Sequence, residues 1–207
     1  MHDPAPVVIV ITEEDSGRAL AEALSAGRPM VLAARGLGSR PPAGAPPIAA
    51  LLRHPFPITG VLSGRLEGPA AAIMLACDAL YVTPRAALRL IPSGRGEGAL
   101  LALRLGHAGA RRVWFSGGLL PAREAVRAGW AEMASGTFET ALQTARTRYE
   151  GLSGEALTLL RPLLYHQAGL NLAQARDLER AAFALAFGSG APAEGIAAFL
   201  EKRKPTF

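Results

Sequence analysis

Strands gathered in the first half of the chain and helices in the second predict an α/β or α+β fold, one domain with helices trailing off it. Three observations carry that reading. The run Val7-Val8-Ile9-Val10-Ile11 is continuous and β-branched, as a buried strand requires. Met30 to Ala34 and Ile58 to Leu62 repeat the apolar signature at intervals that leave room for helices between. After Gly96 the apolar residues fall at helical spacing instead, with Phe138, Leu142, Ala145 and Tyr149 on one stripe and Leu172, Ala175, Leu178, Ala182 and Leu185 on another.

The elements follow in order. Ser16 is placed to cap a short helix through Ser25, with Leu20 and Leu24 on one face. Arg35-Gly36-Leu37-Gly38-Ser39-Arg40 and the Pro/Gly/Ala-rich run to Pro47 read as a loop. Ile48 to Leu52 is predicted as a short helix. The stretch Gly64-Arg65-Leu66-Glu67-Gly68-Pro69-Ala70 reads as a polar turn running into an apolar helix that holds Cys77 and ends at Asp78. Ala79–Val82 and Ala87–Leu90 are short strands separated by Pro84. From Gly96 the pattern predicts helix throughout. Pro121 is expected at a first helical position, with Glu124 behind it and Gly129 ending the helix.

Composition narrows the function classes. Of 207 residues, 50% are hydrophobic and 19% charged, which suits a folded chain. The longest apolar runs are too short and Ala-rich to span a bilayer, and no basic region precedes the first. The expectation is a cytoplasmic protein that engages no membrane. Cys77 is the single cysteine, so no internal disulfide forms and the residue reads as a small buried hydrophobe. No H-x-x-H or carboxylate cluster suggests a metal. His107 and His166 read as helix-surface residues, His2 lies at the terminus and His54 precedes a proline. A net charge of +5, mostly arginine, fits an anionic partner. With no aromatic–basic stripe, a phosphorylated small molecule fits better than nucleic acid.

Four segments in order then resemble the crotonase (enoyl-CoA hydratase/isomerase) family. Gly64 to Asp78 is similar to its G-x-A-x-G-G-G-x-x-L-A-x-x-C-D segment, and Ile91-Pro92-Ser93-Gly94 with Gly96 to its I-P-G-x-G turn. Ser116-Gly117 through Gly129-Trp130 resembles its T-G-x-x-x-x-A-x-E-A-x-x-x-G-L-V helix. Glu194 to Phe207 resembles its E-G-x-x-A-F-x-E-K-R-x-P-x-F ending. The likeness covers roughly Pro57 to Phe207. It implies a crotonase-like spiral of strand–strand–helix repeats over residues 1–135, and a C-terminal helical region, 136–207, that assembles a homotrimer or homohexamer. It also implies binding of a coenzyme A thioester, with no covalently bound cofactor, and two backbone N–H groups that stabilise the thioester enolate at a helix N-terminus.

Laid on that pattern, this chain has lost parts. Gly68-Pro69-Ala70 occupies the G-G-G turn, and the middle residue is the one whose N–H donates to the thioester oxygen. Proline has none. Losing one such donor costs about 3–4 kcal/mol of transition-state stabilisation, although proline also favours the first turn of a helix. Gly68 or Ala70 remains as a donor if the turn is rearranged. The two hydratase glutamates are missing: Ala72 stands at one position, and Leu88-Arg89-Leu90-Ile91-Pro92 is too short for the F-x-x-P-E-x-x-x-G segment that carries the other. Arg35 to Arg40 resembles the start of the first donor loop, G-x-x-F-x-A-G-x-D-L, without its Phe and Asp, which makes Gly38 the candidate donor there. Glu97 is the candidate replacement acid or base, and also a plain first-turn acid that complements a helix dipole. Glu67 beside Arg65 reads as a turn charge. Phe183 and Lys202 fall on family positions that contact the CoA adenine and phosphates. Phe183 equally suits core packing, and Lys202 a solvated helix end. A Clp-type serine protease is excluded, because the helix after the turn opens Pro69-Ala70-Ala71-Ala72 with no hydroxyl to activate.

The resulting expectation is an acyl-CoA-binding protein of crotonase fold without the hydratase machinery. An active isomerase or C–C lyase using Gly38, Gly68, Ala70 and Glu97, and a non-catalytic assembly protein, are the alternatives.

Overall fold

A computed structural model describes residues 6–11, 16–36 and 48–207. Five parallel strands form the main sheet in the order β1-β2-β3-β5-β8, where β1 is Val7–Ile11, β2 Met30–Arg35, β3 Ile58–Ser63, β5 Ala79–Val82 and β8 Ala131–Met133. A smaller sheet pairs β4 (Arg65–Glu67) in parallel with β6 (Ala87–Arg89), which pairs antiparallel with β7 (Leu119–Pro121). Parallel strands need crossover connections, and helices supply them: α1 (Ser16–Ser25), α2 (Ile48–Arg53), α3 (Gly68–Met74), α4 (Glu97–Phe115) and α5 (Ala122–Arg127). Each strand–strand–helix turn packs on the last, so the sequence coils into a spiral.

Residue alternation decides which face goes where. Leu32, Ala34, Leu62, Leu80 and Val82 point to one side of the main sheet and join α1, α2, α3 and α4 in the large core cluster. Val31, Ala33, Val61 and Tyr81 point to the other, where Phe138, Ala141 and Ala145 of α6 (Phe138–Thr147) cover them. The helices α7 (Gly154–Gln167), α8 (Leu172–Phe187) and α9 (Ala191–Glu201) complete the chain.

Several expectations need correcting. The chain does not stay helical after Gly96, because Leu119–Pro121 and Ala131–Met133 are strands. Each is three residues long, below the length at which periodicity shows, and partner strands decide it. Pro121 therefore closes β7 in extended geometry, and α5 starts at Ala122. The polar stretch after Gly64 contains β4, not turn alone, because it pairs with β6. The helix α3 stops at Met74, so Cys77 and Asp78 lie in the turn beyond it. The α8 stripe packs no residue into a buried position within the chain.

Candidate functional site

The site is built where two glycine turns meet. Gly36 (φ +44) and Gly64 (φ +74) both use the left-handed region, and a Cβ added to Gly64 would stand 3.1 Å from the Gly36 Cα. The Gly36 N–H donates to the Ser63 carbonyl at 2.7 Å. The end of β2 is thereby seated on the Gly64-Arg65-Leu66-Glu67-Gly68-Pro69 segment. Gly38 lies outside the described residues. Counted from Gly38, the G-x-x-F-x-A-G-x-D-L pattern also puts Ala43-Gly44 on its A-G pair, with Pro41 and Pro46 in place of Phe and Asp. That match was legible in the sequence, and these residues too lie outside the described part.

Across this junction, Glu67 caps α3 in extended geometry (φ −125°, ψ 158°) without a side-chain hydrogen bond to the first turn. Its carboxylate instead meets Arg65 Nε at 2.7 Å. The first N–H groups of a helix have no intrahelical acceptor, and here Pro69 deletes one of them. Gly68, at φ +57, and Ala70 are both buried around it. Ala72 is 2% exposed and packed in the main core cluster. The turn can therefore offer amide donors, and Ala72 adds no titratable group to them.

Glu97 sits where the sequence places it, as a first-turn acid, and is buried there. It is 3% exposed, in the first turn of α4 behind Gly96 (φ 94°). Ser93 Oγ donates to one carboxylate oxygen, and the Arg95 N–H donates to the other at 3.1 Å. Burial pushes the carboxyl up, but these hydrogen bonds outweigh it and the group is held below the usual carboxylate range. It is thus fixed as an anion by its own turn, which suits capping and gives a weak proton carrier.

A buried polar network escaped sequence reasoning. Arg161 of α7, 4% exposed, gives Nε to Asp78 Oδ2 at 2.7 Å and its remaining nitrogens to the carbonyls of Leu51, Leu52 and His54, at the end of α2. Tyr165 donates to Asp78 Oδ1 at 3.0 Å, and Asp78 Oδ2 also accepts the Ile58 N–H at 2.8 Å. His54 is 3% exposed, with Nε2 2.8 Å from the Arg28 carbonyl and Nδ1 unpartnered. Burial lowers its pKa. The same physics pushes the Cys77 thiol up to about 12, which makes it inert. Only Asp78 after an apolar run hinted at any of this.

Against known proteins, the family model for enoyl-CoA hydratase/isomerase matches residues 45–207. The chain belongs to this family, the crotonases. A curated relative in Bacillus subtilis (strain 168), described as a probable enoyl-CoA hydratase, is 29% identical over 163 residues. That alignment takes in 74% of the chain but 63% of the relative, so the crotonase described here spans less than two thirds of that protein's length. The crystal structure of an enoyl-CoA hydratase from Bacillus anthracis superposes with a TM-score of 0.79 at 20% identity, covering 96% of this chain and 90% of that one. An enoyl-CoA hydratase from Polaromonas sp. JS666 gives 0.78 at 20% identity, covering 100% and 97%. These likenesses establish the crotonase fold.

Within this crotonase, Phe183 lies on α8, 62% exposed and stacked on Phe187 at 4.3 Å. Core packing does not explain it. Lys202 caps α9 in the left-handed region (φ 54°) and is exposed. A cavity of about 370 Å³ lies between the N-terminal turns of α7 and α9, walled by Phe56 and Phe207, and includes none of Gly68, Ala70, Glu97, Phe183 or Lys202. Among the described residues no group of three or more His, Cys, Asp or Glu could hold a metal ion, and no single helix is long and apolar enough to cross a membrane.

Proposed function

We propose that this crotonase binds an acyl-CoA thioester and does not hydrate it. The observation that carries the reading is the α3 turn itself: a proline where the family pattern needs a donor, followed by Ala72 sealed in the core. Gly68 and Ala70, with the loop that begins at Gly36, are left to orient the thioester carbonyl. Phe183 and Lys202, exposed on the C-terminal helices, suit the adenine and phosphates of CoA held between subunits. A homotrimer or homohexamer built by α8 and α9 would place them so, and a cytoplasmic location fits a soluble CoA ligand.

Calorimetry with crotonyl-CoA tests this. Heat that saturates and stops supports binding without turnover. Heat that continues in proportion to protein means catalysis, with Gly38, Gly68, Ala70 and Glu97 as its residues, and overturns the argument from Pro69 and Ala72. No heat leaves the fold as an assembly scaffold.

A further inference from the structure

The outward face of the small sheet carries more positive charge than its own partners use. Alternation along β4 and β6 sends Leu66 and Leu88 into the core and puts Arg65, Glu67 and Arg89 on the opposite face. Register sets Glu67 directly against Arg89. Arg65 holds Glu67 at 2.7 Å, and among the described residues Arg89 makes no ion pair and no side-chain hydrogen bond. Arg65 has its charge met by Glu67, and Arg89, across the ladder from that same residue, is left with its charge uncompensated. Arg89 is half-buried, where an unmatched charge attracts an anion more strongly than on open surface.

Position gives this charge its meaning. Glu67 is followed at once by Gly68 and Pro69, so Arg89 lies one strand away from the candidate donors. The link from β6 to α4 is short, and Ile91 within it is 48% exposed. The segment that carries a glutamate in the family pattern is absent here, and an arginine stands at the strand end instead. Arg89 thus puts a positive charge one strand from the α3 turn.

We infer, on the basis of the acyl-CoA reading above, that Arg89, supported by Arg65, selects thioesters whose acyl group ends in a carboxylate. A guanidinium offers two parallel N–H groups matched to carboxylate geometry, and a neutral acyl chain leaves them unmet.

The test is the ratio of two affinities. Succinyl-CoA and butyryl-CoA have acyl chains of equal length and differ in the terminal carboxylate. Wild-type protein should bind succinyl-CoA roughly tenfold or more tighter, in line with a hydrogen-bonded charge pair. Arg89→Gln should bring the ratio to within about twofold, and Arg89→Lys should restore part of it. Unfolding midpoints on the same samples check that the variants fold. Equal affinities in the wild type, or a preference that survives Arg89→Gln, overturn the inference and leave the acyl-CoA reading standing. If neither thioester binds the folded wild type, the acyl-CoA reading falls and this inference with it.

Discussion

Pro69 shows how much one residue can decide. Replacing it with glycine restores an N–H to the first turn of α3 and loosens the unfolded chain, costing on the order of 1 kcal/mol of stability. The carbonyl stretch of bound crotonyl-CoA reads the gain. It should lie at lower frequency in Pro69→Gly than in the wild type, since a new donor polarises the C=O. An unchanged stretch would mean that Gly68 or Ala70 already fills the role. His54 makes a second prediction at this scale. Burial lowers its folded pKa below 6.5, so the unfolded chain takes up a proton that the folded one resists. Its contribution to stability is whole above pH 6.5 and is lost as pH falls from there through the folded value. Arg161 beside it opposes the charge and Asp78 favours it, while Nδ1 has no acceptor for a proton. The thermal midpoint should therefore drop between pH 7.5 and pH 5, and His54→Gln should flatten that slope.

Among the elements, α7 is tied to α2 and to Asp78 by Arg161. Arg161 closes the C-terminal carbonyls of α2, where a cation also meets the helix dipole, and ties them to Asp78. Arg161→Met takes the guanidinium from three carbonyls and leaves Asp78 with Tyr165 and the Ile58 N–H alone. The expected loss is about 3 kcal/mol, read from urea unfolding, because removing one partner of a buried pair strands the other. A cost below about 1 kcal/mol would mean that water replaces the guanidinium. By contrast α8 contributes no buried residue, and it packs chiefly on α7 and α9.

The whole molecule leaves a large apolar surface on its C-terminal helices: Phe183, Leu185, Phe187, Ile196, Phe199 and Leu200 are all more than half exposed. Six large apolar side chains on two adjacent helices exceed what a monomer ordinarily shows to water. Sedimentation at micromolar concentration should find a trimer or hexamer, and Phe199→Asp should shift it to monomer with the spiral core still folded. A wild-type monomer would refute the assembly and, with it, the placement of Phe183 and Lys202 between subunits.

The apolar runs determined by themselves where β1, β2 and β3 lie, because a buried parallel strand leaves the same signature whatever packs on it. Ordered motifs likewise determined the family, and Pro69 and Ala72 were plain at their positions. What tertiary structure decided is whatever depends on a partner. The strands β4, β7 and β8 are three residues each and exist through their ladders. The sequence allows Glu97 as a replacement acid or base or as a plain first-turn acid, and only the fold supplies the Ser93 hydroxyl and Arg95 N–H that hold its carboxylate. The burial of His54 and Arg161 left no mark in the sequence, because a buried polar group needs companions from distant segments and sequence spacing holds no record of them.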